Sequence, residues 1–283
     1  MTVFRKACDL RHWSDQCSKN DETIALVPTM GALHDGHLSL ITLAQKHASQ
    51  VVVSIFVNPK QFGPHEDLDE YPREEREDIA KATSAGATTF YCPSPASMYD
   101  EHFQTSVSVA NLQRHLCGAS RNGHFDGVTT VVTKLFLAAR PDVAVFGQKD
   151  YQQLAIIKRM VKDLDFGIEI VGAPIHREQD GLAMSSRNRY LSQNERAQSL
   201  SLYKSIVLVE NLFKSGERNV NVLVQAARDL ISKEPLAAIE YVSIQNALTL
   251  EPVEVIKNKC LLALAVRFSK TRLIDNTVLD PNK

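Results

Sequence analysis

Short runs of β-branched and apolar residues alternate with stretches of helical periodicity through the first half of the chain. From Val128 to Ala139 the apolar residues fall at i, i+3, i+4, i+7, i+8 and i+11, and a second stripe runs from Leu154 to Leu164. Strands that alternate with core-facing helices are typical of parallel sheets. We therefore expect an α/β fold, a parallel sheet with helices on both faces. The predicted strands are Ile24–Thr29, Val51–Val57, Thr88–Cys92, Val143–Gly147 and Ile168–Ala173.

The pattern changes from about His176 onward. A polar turn, Arg177–Asn188, comes first, and helices followed by strands then indicate a smaller α+β domain. We expect a larger domain over residues 1–175 and a smaller one over residues 176–283. The predicted elements of the smaller domain are a long helix over Asn194–Lys214, a helix near Val222–Ser232, and strands at Ile239–Gln245 and Leu261–Phe268.

Composition excludes several classes of protein. Hydrophobic residues make up 44% of the 283 residues and charged residues 23%, which are globular proportions. Lys and Arg total 32 against 33 Asp and Glu, so the chain has no basic excess and we expect no nucleic-acid partner. The longest apolar stretches, Val51–Val57 and Cys260–Val266, fall well short of the roughly 20 residues that span a bilayer. We therefore expect no membrane segment.

The cysteines point to a reducing compartment. None of the five falls in a C-x-x-C pair or a zinc-ligand spacing. The first thirty residues also lack the charged-then-apolar pattern of a signal peptide. Both observations favour reduced thiols and a cytoplasmic location.

The strongest candidate for a binding motif is Pro-Thr-Met-Gly-Ala-Leu-His-Asp-Gly-His, residues 28–37, directly after the first predicted strand. Its glycines permit close backbone approach, and a helix beginning near His37 would offer unpaired N–H groups to an anion. His34 and His37 can point to one face and donate to a phosphate without a permanent charge. The alternatives are capping or surface histidines, or a metal site. The absence of the H-E-x-x-H zinc pattern favours phosphate.

Two further segments could bind phosphate. Lys149 follows the fourth predicted strand and would meet the same edge of the sheet as the histidines. Ser185, Ser186 and Arg187 lie in the polar turn, where hydroxyls and a rigid guanidinium fork could form an adaptable clamp. Without the histidine motif, Lys149 would ordinarily be interpreted as a solvated lysine, and the Ser-Ser-Arg cluster as a solvated turn or helix cap.

Two glutamines could hold a polar, uncharged substrate group. Gln61 lies in the loop Asn58–Arg73, whose three prolines and single glycine predict an ordered functional loop. Gln153 follows the fourth predicted strand. Alone, each would more often be structural.

Together these segments resemble the pantothenate synthetases (pantoate:β-alanine ligases), a family of the nucleotidylyltransferase superfamily of Rossmann-like ATP enzymes. A lone H-x-G-H would indicate only the superfamily, whereas the Pro-Thr-Met-Gly context and the glutamine-bearing loops are similar to this family. The resemblance runs through Val27–Leu40, Ser54–Arg73, Gly118–Phe136, Phe146–Gln153, Gly181–Leu191 and Arg272–Asn276.

The resemblance implies a Rossmann-like fold with a C-terminal lid domain that closes over the site. It implies ATP-dependent condensation of pantoate with β-alanine through a pantoyl adenylate, giving pantothenate, AMP and pyrophosphate. It also implies a homodimer and the use of Mg²⁺ with ATP.

By the same resemblance, His37 is the catalytic acid. Attack of one anion on another needs alignment and charge relief, and we expect His34, His37, Lys149 and Arg187 to supply both. Gln61 and Gln153 would bind pantoate, with Gln61 also near β-alanine. The ATP site would be lined by Met30, Gly31, Ala32, Leu33, His34, Asp35, Gly36, His37, Gly147, Gln148, Lys149, Asp150, His176, Met184, Ser185, Ser186 and Arg187.

Three positions leave details open. Gln148 stands where many relatives have Glu, and His176 where relatives often have a small or apolar residue. Asp78 is a candidate magnesium ligand by resemblance, and a helix-surface carboxylate is the alternative, so the metal ligands are not assigned.

Two other functions are compatible with part of the pattern. A nucleotidylyltransferase acting on a phosphorylated acceptor would use the same histidines and Ser-Ser-Arg cluster, but would need cationic residues where this chain has Gln61 and Gln153. A non-catalytic nucleotide-binding module would have no use for so many donors around the leaving phosphates.

Overall fold

The structure is a computed structural model that describes residues 1–64 and 66–282. The chain forms two compact units. The second unit is not one continuous stretch, because it takes two short segments from the middle of the chain. The first unit comprises Met1–Gln113, Ser120–Gln148 and Gln153–Pro174, and the second comprises Arg114–Ala119, Lys149–Gln152 and Ile175–Lys283.

The first unit contains a parallel sheet of six strands in the order β1-β4-β3-β2-β5-β6. The predicted parallel α/β architecture is therefore confirmed. Strand β1 was not predicted, since three residues carry no readable alternation. The strands are β1 (Thr2–Phe4), β2 (Ile24–Thr29), β3 (Gln50–Ile55), β4 (Thr89–Tyr91), β5 (Val143–Gly147) and β6 (Glu169–Ala173).

The helices up to residue 163 are α1 (Ala7–Lys19), α2 (Asp35–Ala44), α3 (Glu75–Ser84), α4 (Pro95–Met98), α5 (Leu116–Ser120), α6 (His124–Ala139) and α7 (Tyr151–Asp163). Helices of the first unit cover both faces of its sheet, as predicted. On one face, Val27 of β2 packs in a cluster with Ile41 of α2 and Ala82 of α3. On the other, the ring centroid of Phe146 in β5 lies 6.5 Å from that of Phe136 in α6.

Helix α2 begins earlier than predicted. Its first residue is Asp35 and His34 is the N-cap, so a start near His37 is wrong. His34 is extended (φ −134°, ψ 173°), the usual conformation of a residue just outside a helix. Asp35 places a negative charge in the first turn, where the helix dipole favours it.

The second unit contains an antiparallel sheet in the order β7-β8-β9, with β7 at Ala237–Asn246, β8 at Cys260–Phe268 and β9 at Thr271–Leu279. Its helices after residue 175 are α8 (Gln193–Ser199), α9 (Ser201–Lys214) and α10 (Val220–Ile231), and most of α5 also belongs to this unit. Leu262 and Leu264 of β8 share a core with Val209 of α9 and Leu223 of α10. The predicted smaller α+β part is confirmed in its architecture.

Two details of this unit differ from the sequence predictions. The long helix predicted over Asn194–Lys214 is two helices, separated at Leu200. The hydroxyl of the neighbouring Ser199 donates to the carbonyl of Arg196 at 2.8 Å. Such side-chain bonds compete with the helical backbone pattern. Strand β9 was missed because buried polar residues, Asp275 and Asn276, interrupt its apolar alternation.

The core of the second unit gives a stability prediction. Leu264 is fully buried, so Leu264→Ala should lower the free energy of unfolding by about 2–5 kcal/mol through lost burial and a residual cavity. The matched control is Leu248→Ala, because Leu248 is 81% exposed. Urea unfolding should separate the two variants clearly. Equal midpoints for both would contradict this description of the core.

Candidate active site

The order of strands in the first unit marks a ligand-binding edge. Strands β3 and β4 extend from one side of β2, while β5 and β6 extend from the other. The direction of chain progression therefore reverses between β2 and β5. In open α/β sheets, ligands bind outside the carboxyl ends of the strands at such a switch point. The segments that leave this point are Met30–His34 after β2 and Gly147–Gln148 at the end of β5.

A buried carboxylate holds the loop after β2. The Ala32 N–H donates to Asp78 at 2.9 Å and the Leu33 N–H donates to its other oxygen at 2.7 Å. Gly31 has φ +82°, and a Cβ there would lie 2.9 Å from Asp78 Oδ2, so the position favours glycine for both conformation and space. Burial raises the pKa of Asp78, although the Leu33 and Ala32 N–H groups oppose the rise.

These contacts change the interpretation of Asp78. It is 1% exposed, so it is not the helix-surface carboxylate that the sequence left as an alternative. Each of its oxygens accepts a backbone N–H, which is a structural use of the carboxylate. Among residues 1–64 and 66–282, no group of three or more His, Cys, Asp or Glu is placed to hold a metal ion.

The two histidines of the motif lie side by side at the start of α2. Their ring centroids are 4.1 Å apart. The His34 N–H faces Nδ1 of His37 at 3.4 Å, so His37 folds back over the helix terminus. The structure therefore brings together the two imidazoles and the N-terminal turn of a ten-residue helix.

Gln61 lies against Met30 of the same motif. Its amide nitrogen donates to the Met30 sulfur at 3.0 Å, and its amide oxygen accepts from Asn58 at 3.0 Å. Asn58 is 1% exposed and also accepts a bond from the Tyr99 hydroxyl at 2.8 Å. Sequence reasoning missed Asn58, although a polar residue soon after a buried strand is a signal that could have identified it. Gln153 lies on α7 and is half-buried.

Lys149 belongs to the second unit, and β9 holds its backbone. The Asn276 side chain donates to the Lys149 carbonyl at 2.8 Å. Burial lowers the pKa of Lys149 and the Arg187 charge adds to the effect, while the carboxylates of Asp150 and Asp275 oppose it. Asp275 also accepts two bonds from Arg177, at 2.6 and 3.0 Å.

The remaining predicted site residues also lie in the second unit. The Met184 N–H donates to the His176 carbonyl at 3.0 Å, which closes a turn between the two positions. Ser185 accepts from the Arg187 N–H at 3.3 Å and caps the 3₁₀ turn Ser186–Tyr190. The predicted site is therefore divided: residues 30–37, 61, 147, 148 and 153 lie in the first unit, and residues 149, 150, 176 and 184–187 in the second.

The structure also describes the cysteines and the apolar character of the helices. No disulfide joins any of the five cysteines. Within the described part of the chain, no helix has both the length and the apolar character needed to cross a membrane.

The fold and the loop after β2 define a class, the doubly wound α/β enzymes that bind nucleotides at a switch point. Comparison with known proteins identifies the family within this class. A profile of the family described as Pantoate-beta-alanine ligase matches residues 2–278. The pantothenate synthetase of Pelobacter propionicus is 54% identical over 279 residues, which cover 99% of this chain and 98% of its own. That of Heliobacterium modesticaldum is 51% identical over 280 residues, covering 99% and 100%. The chain belongs to the pantoate–β-alanine ligase family.

Comparison with solved structures gives the same family. The crystal structure of pantothenate synthetase from Thermus thermophilus is 40% identical, with a TM-score of 0.93 over 99% of this chain and 100% of that one. The pantoate-beta-alanine ligase of Francisella tularensis, complexed with beta-gamma ATP and beta-alanine, is 32% identical, with a TM-score of 0.80 over 98% and 97%. The likeness therefore includes both units of the chain.

Asp78 provides a test of how the loop is held. In Asp78→Asn the amide nitrogen cannot accept a bond, so a backbone N–H of the loop loses its acceptor at a cost of about 1–3 kcal/mol. The melting temperature should fall, and hydrogen exchange of a peptide covering Met30–Leu33 should accelerate. Glu77→Gln, on the same helix but with a side chain that is 57% exposed, should change neither. Unaltered exchange in Asp78→Asn would contradict the assigned contacts.

Proposed function

We propose that this chain condenses pantoate with β-alanine at the expense of ATP, through a pantoyl adenylate, releasing AMP, pyrophosphate and pantothenate. The observation that carries the proposal is its membership of the ligase family over residues 2–278. A relative from Francisella tularensis, complexed with beta-gamma ATP and beta-alanine, supports the choice of two of the substrates.

The first half-reaction requires alignment more than acid–base chemistry. A carboxylate of pKa roughly 4 is ionised at neutral pH and can attack the α-phosphorus directly. Anion repulsion opposes this attack, and donors and cations aimed at the phosphates relieve it. The second half-reaction needs a neutral amine, and an amine of pKa about 10 must first lose its proton.

His34 and His37 supply donors for the phosphates. A ring nitrogen that accepts a backbone N–H carries no proton, so the contact at Nδ1 of His37 assigns the neutral ring's proton to Nε2. That N–H can donate to a phosphate oxygen at the start of α2, where the helix dipole also favours an anion. The acid role that the resemblance assigns to His37 uses the protonated ring, in which both nitrogens carry a proton.

Lys149, Arg187 and the adjacent serines act on the triphosphate. Their positive charges and hydroxyl donors suit a leaving pyrophosphate, whose negative charge rises as the bond to the α-phosphorus breaks. An anion beside Lys149 also favours its protonated form, against the effect of burial. The other ATP-binding residues of the proposal are Met30, Gly31, Ala32, Leu33, Asp35, Gly36, Gly147, Gln148, Asp150, His176 and Met184.

Gln61 and Gln153 bind pantoate in this proposal, and Gln61 also lies near β-alanine. The Gln61 amide is already oriented, because Asn58 donates to its oxygen. Its nitrogen donates to a thioether, a weak acceptor that a pantoate hydroxyl can replace. The neighbourhood also disfavours a phosphorylated acceptor, because Arg121, which reaches the Gln61 carbonyl, is paired with Glu66 at 2.5 Å.

Other parts of the proposal rest on the resemblance. Mg²⁺ would enter with ATP as part of the substrate, because the described residues form no cluster suited to a resident ion and Asp78 is used structurally. We propose a homodimer, which light scattering would show as twice 31.5 kDa. We also propose a cytoplasmic location, where cysteines that form no disulfide stay reduced.

Pyrophosphate exchange tests the two-step reaction. With pantoate present and β-alanine absent, labelled pyrophosphate should be incorporated into ATP, because adenylation is a separate reversible step. With all three substrates, AMP and pantothenate should appear together in equal amounts. A nucleotidylyltransferase would instead leave AMP on its acceptor. Exchange that strictly required β-alanine would overturn the stepwise mechanism.

Lys149→Ala should damage adenylation far more than the reaction of preformed pantoyl adenylate with β-alanine, because the triphosphate is cleaved only in the first step. By analogy with the loss of an oxyanion donor, the rate of adenylation should fall about 10² to 10³-fold. Single-turnover measurements of each half-reaction provide the comparison. Lys158→Ala, an exposed lysine on α7, is the control and should leave both rates unchanged. Equal losses in both half-reactions of Lys149→Ala would contradict its assignment.

A further inference from the structure

The start of α6 makes a charged and polar network that the proposed function does not yet use. Arg121 donates through Nε and Nη2 to the two oxygens of Glu66, at 2.6 and 2.5 Å. Its Nη1 lies 2.9 Å from Nε2 of His124, and Nδ1 of His124 lies 2.8 Å from the carbonyl oxygen of Gln61. Arg121 Nη2 also reaches that carbonyl, at 3.3 Å.

The chemistry of these groups fixes the direction of each hydrogen bond. A guanidinium can only donate, so Nε2 of His124 accepts from Arg121 and carries no proton. The neutral ring then has its proton on Nδ1 and donates it to the carbonyl of Gln61. Burial would raise the pKa of Glu66, but the hydrogen bond and the charge of Arg121 outweigh it, and the pKa is lowered. Glu66 is therefore ionised at neutral pH and holds the guanidinium in place.

The same turn of α6 approaches the loop closely at a second point. Gly127 stands where a Cβ would overlap the carbonyl oxygen of Lys60, so only glycine allows this approach. The Gly127 carbonyl accepts from Asn58 at 3.0 Å, and Asn58 also donates to the amide oxygen of Gln61. Gln61 is thus held from α6 at both its backbone carbonyl and its side chain.

We propose that Arg121 and His124 are positioning residues for the pantoate site, which set the orientation of the Gln61 amide through its backbone carbonyl. The proposal rests on the proposed function, because it assigns Gln61 to pantoate. Neither residue needs to touch the substrate. Loss of the His124 bond should therefore weaken pantoate use and leave the nucleotide site intact.

The first experiment compares substitutions at His124. His124→Ala removes the donor to Gln61, and loss of one such hydrogen bond should raise KM for pantoate about three- to tenfold. KM for ATP should change less than about twofold, because the nucleotide contacts are untouched. His124→Asn places an amide nitrogen near the position of Nδ1 and should recover most of the lost pantoate affinity. The control is His102→Ala, since the side chain of His102 is 84% exposed.

A double-mutant cycle separates positioning from a general effect on stability. If His124 acts through Gln61, then adding His124→Ala to Gln61→Ala should cause no further rise in KM for pantoate. A merely structural role would raise KM in both backgrounds and would raise KM for ATP as well. Melting temperatures identify any unfolded variant, in which case the His124→Asn comparison, alone and with Gln61→Ala, decides the question.

The outcomes are distinguishable. Wild-type protein that fails to make pantothenate would refute the proposed function itself. Active wild-type protein with unchanged pantoate KM in His124→Ala, or with additive effects in the cycle, would refute the positioning role alone. A selective rise in pantoate KM that disappears in the Gln61→Ala background would support it.

Discussion

The buried carboxylate of Asp78 is the interaction on which the candidate site most depends. A loop that turns with positive φ at Gly31 and Ala32 leaves the hydrogen-bonding pattern of the sheet, and its buried N–H groups need other acceptors. Asp78 reaches from α3 to accept two of them. The loop then delivers His34 in the extended conformation that starts α2. Asp78 therefore fixes the part of the loop that leads directly to His34.

Much of the fold was predictable because its signals are local. The strands β2 and β5 have the predicted bounds, since each is a compact apolar run with clear turn residues beside it. The start of α2 was misplaced because a histidine is an unusual N-cap. Strand β9 was missed because its buried Asp275 pairs with Arg177, 98 residues away in the chain. A polar residue buried by such a pair has the sequence signature of a surface residue.

The candidate site was only partly predictable for a related reason. Residues that would touch the phosphates stand in readable motifs, but the residues that hold them come from distant segments. Asn58 contacts the Gln61 side chain locally, yet its other hydrogen-bond partners are Tyr99 and Gly127, 41 and 69 residues away in the chain. The pairing of Glu66 with Arg121 spans 55 residues, and spacing alone gives no reason to connect the two. Supporting contacts of this kind need the three-dimensional structure.

The composition of the second unit has a consequence for how the polypeptide can be divided. Lys149–Gln152 belong to that unit although residues on both sides of them belong to the first. A single proteolytic cut near residue 175 would thus leave the lysine on one fragment and Asn276, which binds its carbonyl, on the other. Each unit is built from three segments, and the segments of the two units alternate along the chain. No single continuous segment of the sequence contains all of one unit and nothing of the other. Duplication or exchange of one continuous segment would therefore separate residues that pack together within a unit.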